Sequence, residues 1–179
     1  MKTQTPISKP AKPQELLSLL DELGMKVETH KHEAVFTVEE SDHVTASIPG
    51  GHTKNLFLKD KKGNFFLIIA GNKARISLNK IHSLIGASGR VSFANADYLM
   101  EHLGVKPGSV NAFAPMNDHQ KLVNVIIDKP LLENELINCH PLINEMTTTI
   151  SREDLLKFLE FTDHNPMIIH LSEISETEI

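Results

Sequence analysis

Two apolar runs joined by one short polar segment constrain the fold of this 179-residue chain more than any other feature. Residues 53–58 and 65–70 are rich in leucine, isoleucine and phenylalanine, and residues 59–64 between them read Lys-Asp-Lys-Lys-Gly-Asn. Apolar runs of strand length that flank a short loop with a glycine favour an antiparallel β-hairpin. The chain is therefore predicted to contain a β-sheet, and Lys54 begins one of its strands.

Helix-capping signals alternate with further strand-like runs on both sides of this hairpin. Pro13 opens a leucine-rich stripe, Thr37 begins a capping box, and Ser77, Asn95 and Ser151 are predicted to cap later helices. Six or seven short strands with interspersed helices predict one mixed α+β domain. The predicted helices span residues 13–23, 37–46, 78–85, 96–103 and 155–161, and the predicted strands span 25–32, 53–58, 65–70, 122–127, 136–139, 146–150 and 167–171, with 110–113 as a further candidate.

The net charge of −5 and the nine aromatic residues, with no tryptophan, are at first sight unfavourable for nucleic-acid binding. The charge is unevenly distributed, because residues 54–90 hold eight basic residues and one acid, a net +7, which leaves −12 for the rest. A basic segment of this kind can attract phosphate groups, and it can equally be a solvated face with lysines on a hairpin turn. The charge counts do not separate these two interpretations.

Several kinds of chemistry lack their usual sequence signals. A single cysteine, Cys139, excludes an internal disulfide and a cysteine-based zinc finger, and no nucleotide-binding fingerprint is present. His30, His32, His43 and His52 are spaced unlike the ligands of a zinc enzyme, so surface histidines are the better interpretation. Neither a cofactor nor a metal site is predicted. The first residues lack a secretory signal and no run is long enough to span a membrane, which favours a cytoplasmic protein.

Four blocks of sequence, in this order and spacing, resemble the YbaK/prolyl-tRNA-synthetase-associated editing domain. They are Val-Phe-Thr-Val-Glu-Glu at 35–40, Thr-Lys-Asn-Leu-Phe-Leu at 53–58, Gly-Val-Lys-Pro-Gly-Ser-Val at 104–110 and His-Pro-Leu-Ile-Asn at 140–144. The resemblance covers residues 13–171, which leaves a flexible leader at 1–12 and an acidic tail at 172–179. It implies a barrel-like sheet flanked by helices and free-standing hydrolysis of mischarged proline tRNA. The second block is most similar to the alanyl-tRNA(Pro) deacylase branch.

The resemblance also implies the roles of single residues. Lys54 matches the essential lysine that contacts the terminal nucleotide, Gly108 the glycine whose N–H faces the ester carbonyl, and His140 the histidine that lines the pocket. Ala112 stands where the family usually has proline, and this chain has Asn144-Glu-Met-Thr147 where the family commonly has Asn-Thr-x-Thr. The residues predicted to contact substrate are Phe36, Thr37, Gly51, Asn55, Ser109 and Asn144, and those predicted to contact tRNA phosphates are Lys73, Arg75 and Lys80.

An aminoacyl ester is already activated, so the expected mechanism is positioning of water and stabilisation of the oxyanion. The vicinal 2′-hydroxyl of the substrate is expected to orient or activate the water, since His140 is the only protein base in view. The expected partners are aminoacyl-tRNA(Pro) and prolyl-tRNA synthetase, with no membrane. Two alternatives stay open: a cysteinyl-tRNA(Pro) or other small-residue deacylase, and a non-catalytic module that binds tRNA or synthetase.

Overall fold

A mixed sheet flanked by helices makes up the part of the chain that the computed structural model describes, residues 9–35 and 37–173. Within these residues there are eight strands and five α-helices, which confirms the predicted α+β class with one strand more than expected. The strands are β1 (Glu28–Lys31), β2 (Gly51–Lys59), β3 (Phe65–Gly71), β4 (Ser92–Phe93), β5 (Val123–Asp128), β6 (Leu136–Cys139), β7 (Met146–Ser151) and β8 (Met167–Ile169). The helices are α1 (Pro13–Glu22), α2 (Val38–Ser47), α3 (His82–Ile85), α4 (Ala96–Leu103) and α5 (Arg152–Phe161).

Strand β2 lies in the middle of the sheet, whose order is β1-β7-β6-β2-β3-β5-β8, with β4 also paired to β2. The predicted hairpin is confirmed: β2 and β3 pair antiparallel from Thr53 opposite Gly71 to Lys59 opposite Phe65. The first residues of β2 pair instead with β6, in parallel, with His52 opposite Asn138. This second pairing brings residues distant in sequence to the start of β2.

Two glycines allow β2 to approach β6 closely. Gly50 has φ +110°, a backbone conformation that favours glycine, and a Cβ there would lie 2.9 Å from the carbonyl oxygen of Leu136. A Cβ on Gly51 would lie 2.7 Å from the side chain of Asn134. Neither position accommodates a side chain without displacing its neighbours.

Alternate residues of β2 enter two different apolar clusters, as strand geometry requires. Phe57 packs into the larger cluster, together with Leu16 and Leu20 of α1. Leu58 packs into the smaller cluster with Ile68 of β3. Lys54 is separated from Leu58 by four residues, so it lies on the face of the smaller cluster.

The carboxylate of Asp60 organises the turn of the β2–β3 hairpin. It accepts hydrogen bonds of 2.9 Å from the backbone N–H groups of Lys62, Asn64 and Ser88, and another of 2.9 Å from the Asn64 amide. Burial of Asp60 raises its pKa, but these hydrogen bonds outweigh burial and lower the pKa to about 2. The turn is thereby tied to the loop that holds Ser88.

A buried polar triad fastens the end of α5 to the loop before β5. His164 Nε2 lies 2.8 Å from Asp118 Oδ2, and His164 Nδ1 lies 3.0 Å from Thr162 Oγ1. Asp118 also accepts hydrogen bonds from the N–H groups of Leu122 and Val123. Burial raises the pKa of Asp118, but the bonds from His164 and the two N–H groups outweigh this and lower it.

Two predicted elements are wrong. Residues 78–80 form turns, with Lys80 N–H bonded to the Ser77 carbonyl, and α3 starts only at His82. Residues 110–113 form no strand, because the Asn111 side chain accepts the Phe113 N–H at 2.9 Å and so replaces a ladder bond with a local turn.

The N-caps predicted for three other helices are confirmed. The side chains of Thr37, Asn95 and Ser151 each accept a backbone N–H at the start of α2, α4 and α5.

Residues 1–8 of the predicted leader and 174–179 of the predicted tail lie outside the described residues. Among the helices that are described, none has the length and apolar character needed to cross a membrane.

Candidate functional site

A cleft of about 1230 Å³, called the large cleft below, opens beside the start of β2. Its walls come from Gly50 and Gly51 at the start of β2, from the segment after β3, from α2 and from the end of β5. Lys73 and Arg75 lie on this wall, and both are exposed. The volume is sufficient for a nucleotide, since sites for ligands of that size commonly occupy several hundred Å³.

Lys54 contacts the wall of the large cleft. Its Nζ donates a hydrogen bond to the backbone carbonyl of Ala74, which is one of the lining residues. The side chain is half-buried and rises from a strand, so it is held more firmly than a lysine on a loop. A cation is thereby placed at the edge of a cleft of nucleotide size.

A second cavity of about 30 Å³, called the small pocket, lies between α2 and strands β2, β6 and β7. This volume holds only one or two groups of the size of water or a methyl group. Val35 and Val44 supply apolar walls, and Thr53, His140 and Thr147 supply polar ones. The small pocket is thus suited to a very small side chain.

His140 faces the small pocket as a neutral imidazole. Its Nδ1 lies 2.9 Å from the Met146 carbonyl oxygen, and because a carbonyl only accepts, Nδ1 carries the hydrogen. Burial lowers the pKa of His140; the bond to Met146 opposes this, and the nearby His32 and His52 lower it further. The rings of His32 and His140 are 6.1 Å apart. In the described part of the chain, no group of three or more His, Cys, Asp or Glu is arranged to hold a metal ion.

Only two of the described residues, Thr45 and His52, line both the large cleft and the small pocket. His52 Nε2 lies 2.8 Å from the Ile48 carbonyl oxygen, and its own carbonyl accepts the Asn72 N–H at 2.8 Å. His52 therefore holds both the segment before β2 and the segment after β3 while it occupies the junction of the two cavities.

Asn138 of β6 fixes the residues next to this junction through hydrogen bonds. Its amide nitrogen donates to the Pro49 carbonyl at 3.0 Å, and its Oδ1 accepts a hydrogen bond from Thr149. Its backbone carbonyl accepts the hydroxyl of Thr53 at 2.8 Å. This buried network fixes the start of β2 against β6.

The structure gathers part of the predicted site around these cavities. Gly51, Lys73 and Arg75 line the large cleft, His140 lines the small pocket, and Lys54 contacts the cleft wall. Cys139 also lines the small pocket, and burial raises the pKa of its thiol to about 12. The thiol therefore stays protonated, and Cys139 is a lining residue and not a nucleophile.

Other predicted site residues line neither cavity, and their roles stay predictions. Asn55 points to the opposite face of β2 from Lys54, and its Oδ1 is buried without a hydrogen-bond donor among the described residues. Thr37 caps α2, and Asn144 donates to the Val35 carbonyl at 3.4 Å. Gly108 adopts φ +89° in a turn. Ser109 and Lys80 take part in backbone turn hydrogen bonds, and Phe36 lies outside the described residues.

The basic segment 54–90 divides between two places. Lys73 and Arg75 line the large cleft, whereas Lys59 packs its Nζ 4.8 Å from the centre of the Tyr98 ring. The side chain of Lys61 packs against Gly89 near the hairpin turn. Lys73 and Arg75, together with Lys54, are thus at the large cleft, whereas Lys59 and Lys61 are engaged elsewhere.

Sequence reasoning missed His52, Thr45, Thr53 and Asn138 as site residues. One signal for His52 was available: it directly precedes the predicted strand 53–58 and lies two residues before Lys54, so in an extended chain both side chains belong to the same face. Asn138 carried no such signal, since its place depends on the pairing of β2 with β6.

Known proteins resemble this chain in sequence and in fold. Residues 32–158 match the model of a family described as the aminoacyl-tRNA editing domain. A zebrafish (Danio rerio) prolyl-tRNA synthetase associated domain-containing protein 1 is 36% identical over 157 residues, 87% of this chain and 85% of that protein. The prolyl-tRNA editing protein ProX of Acetoanaerobium sticklandii is 33% identical over 148 residues, 82% of this chain and 90% of that protein. A solved structure of a candidate trans-editing enzyme for prolyl tRNA synthetase shares the fold, with a TM-score of 0.69, 18% identity, and coverage of 96% of this chain and 100% of that one.

Proposed function

Because this chain belongs to the aminoacyl-tRNA editing domain family, we propose that it is a free-standing hydrolase that deacylates mischarged tRNA(Pro), with alanyl-tRNA(Pro) as its preferred substrate. The relative named as a prolyl-tRNA editing protein supports the choice of tRNA. The choice of alanine is argued from the small pocket.

The observation that carries this proposal is the size of the small pocket, about 30 Å³. A methyl group fits a cavity of this volume, whereas the pyrrolidine ring of proline does not. Correctly charged prolyl-tRNA(Pro) is therefore spared by exclusion, which is the logic of a second sieve. Glycine and serine esters are small enough to enter as well.

The large cleft is proposed to receive the terminal adenosine and the adjoining phosphates. Lys73 and Arg75 are exposed on its wall and carry charges opposite to those of phosphate. Lys54 donates to the Ala74 carbonyl at the edge of the same cleft, within reach of the terminal nucleotide. The ester bond between nucleotide and amino acid would then lie where the two cavities meet.

The proposed reaction is attack of water on the ester carbonyl. Lys54 holds the terminal nucleotide and the 2′-hydroxyl of the substrate orients the water. The oxyanion is assigned to the Gly108 N–H on the family resemblance alone, since Gly108 lies in a turn and lines neither cavity. One such preorganised donor contributes roughly 3 kcal/mol to the transition state. Ala112, which replaces the usual proline of the Gly108 loop, is fully buried, so its packing supports the loop in place of a proline ring.

A deacylation panel tests this function. Alanyl-, cysteinyl-, seryl- and prolyl-tRNA(Pro) are each incubated with wild-type protein and with Lys54→Ala, and ester loss is measured against an enzyme-free control. We expect rapid loss of alanyl-tRNA(Pro), slow or no loss of prolyl-tRNA(Pro), and little activity in the variant. Preference for cysteinyl-tRNA(Pro) would identify the other branch, and tRNA binding without hydrolysis would identify a non-catalytic module.

A further inference from the structure

We propose that His52 is the general base of the deacylation reaction, taking the proton of the attacking water. This inference rests on the proposed function and adds a residue to which the family resemblance assigned no role. Two observations support this assignment: His52 lies between the two cavities, and a hydrogen bond fixes its ring.

His52 lies where the ester bond of the bound substrate is expected. An aminoacyl-tRNA end placed with its nucleotide in the large cleft and its side chain in the small pocket has its ester bond at the junction. Thr45 and His52 are the described residues that line both cavities, and of these two only His52 has a side chain, an imidazole, of the kind that serves as a general base. Lys54 lies two residues further along β2 on the same face. The base and the nucleotide-holding cation thus rise from one rigid strand.

The hydrogen bond of His52 selects the tautomer that a base needs. The Ile48 carbonyl can only accept, so the His52 Nε2 atom, 2.8 Å away, carries the hydrogen. The Nδ1 atom then carries the lone pair, and none of the described residues is hydrogen-bonded to it. Asn138, whose amide nitrogen is 3.4 Å from His52 Nε2, donates instead to the Pro49 carbonyl at 3.0 Å.

Other ionisable groups at the two cavities are less suitable as bases. His140 lines only the small pocket, which the amino-acid side chain fills. Asp128 lines the large cleft but not the small pocket, so it lies away from the junction; its Oδ1 accepts the N–H groups of Leu171 and Ser172, and its buried Oδ2 has no hydrogen-bond partner among the described residues. The charged and titratable groups that line the two cavities with His52 or contact their walls are Asp42, Lys54, Lys73, Arg75, Asp128, His140 and Glu173.

In the proposed step, His52 takes one proton from water and later gives it to the leaving oxygen. The water oxygen forms a bond to the acyl carbon as its proton moves to His52 Nδ1, giving a tetrahedral oxyanion and a protonated imidazole. The oxyanion collapses, the bond between the acyl carbon and the ribose oxygen breaks, and His52 returns the proton to that oxygen. The products are a free amino acid and a tRNA with its terminal hydroxyl restored, with no change of oxidation state.

The decisive variant is His52→Gln. The glutamine amide nitrogen can replace Nε2 at the Ile48 carbonyl, but it cannot take up a proton, so the structural contact is kept and the base is lost. We expect kcat for alanyl-tRNA(Pro) to fall about 100-fold or more, as is usual when a general base is removed. We also expect the wild-type rate to rise with pH through one imidazole-type ionisation that is missing in the variant, after subtraction of the enzyme-free rate at each pH.

Two controls make the result specific. His119→Gln changes an exposed histidine outside both cavities and should keep the wild-type rate and pH profile. Binding of uncharged tRNA by His52→Gln should stay within about threefold of wild type. As a second variant, His52→Ala should regain part of its rate when free imidazole is added, because the external base replaces the missing ring.

Each remaining outcome overturns the assignment in a recognisable way. A His52→Gln rate within threefold of wild type with an unchanged pH profile excludes His52 as the base. A raised KM with unchanged kcat makes it a binding residue only. If wild-type protein hydrolyses no member of the panel, the proposed function itself fails, whereas an active wild type with an active His52→Gln removes only this inference.

Discussion

The ammonium group of Lys54 donates to the backbone carbonyl of Ala74, which places a fixed cation at the edge of the large cleft. Replacing Lys54 by alanine should lower kcat/KM for alanyl-tRNA(Pro) about 100-fold, because a preorganised polar contact to the reacting end of the substrate is lost. Single-turnover deacylation measures the effect. Lys26→Ala, at an exposed position that lines neither cavity, should behave as wild type. Equal rates for wild type and Lys54→Ala would show that Lys54 has no role in deacylation.

Charge reversal at Lys73 or Arg75 should raise KM with little change in kcat, because both side chains line the large cleft and would face tRNA phosphates. Each lost phosphate contact should also reduce the slope of log affinity against log salt by about 0.7 to 0.9. Titration of tRNA binding at several salt concentrations gives both quantities. The matched control is Lys157→Glu, which changes an exposed lysine on α5. An affinity independent of salt would argue against a phosphate-binding cleft.

Widening the small pocket should relax the choice of amino acid. Val44 lines the small pocket, whose volume is about 30 Å³. Val44→Ala removes two methyl groups from the wall and so enlarges the pocket. The variant should deacylate larger esters, such as valyl-tRNA(Pro), faster than wild type and keep its activity on alanyl-tRNA(Pro). Competition between the two esters measures the ratio. An unchanged ratio in a variant that unfolds like wild type would show that another cavity receives the side chain.

Acid should weaken the hairpin turn through Asp60. The pKa of Asp60 is about 2 in the folded protein against 3.8 for the ordinary side chain, so its stabilising contribution is full above that ordinary value and is lost as the pH falls towards 2. The shift corresponds to roughly 2 kcal/mol in the free energy of unfolding. Asp60→Asn should therefore be less stable than wild type at pH 7 in urea, and the difference should shrink near pH 2. Asp21→Asn, at an exposed position on α1, should show no such trend.

Removal of one partner from the Asp118–His164 pair should destabilise the whole fold. His164→Ala leaves a buried carboxylate without its side-chain donor, for which the expected loss in the free energy of unfolding is about 3 kcal/mol. Thr162→Val, which removes only a hydroxyl contact at 3.0 Å, should lose about 1 kcal/mol. Urea unfolding of the three proteins at pH 7 tests the order. Equal stability of wild type and His164→Ala would show that the pair is not a structural fastening.

The elements predicted correctly are those whose signals are local. The Asn95 cap and the β2–β3 hairpin depend on residues within a few positions of each other, and the structure has both. The predicted helix over residues 78–85 fails because burial of Ile81 and Ile85, and not the propensity of residues 78–80, determines where that segment turns. Strand β8 ends at Ile169, earlier than predicted, since the Leu171 N–H is bonded to Asp128 across the fold.

The candidate site was predicted in part for the same reason. The family motifs pointed to Lys54 and His140, and the structure places both at the cavities. His52, Thr45 and Asn138 become neighbours only when β2 pairs with β6, a contact that no periodicity in the sequence reports.

The parallel pairing at the start of β2 also has a consequence for the order of folding. The β2–β3 hairpin closes a short loop and can form early, but His52 and Asn138 are 86 residues apart, so their contact requires closure of a long loop. Both cavities depend on that contact, because each is lined by residues from strands far apart in the chain. During refolding, hydrolytic activity should therefore return only in the slowest phase, after the hairpin has already acquired its backbone hydrogen bonds.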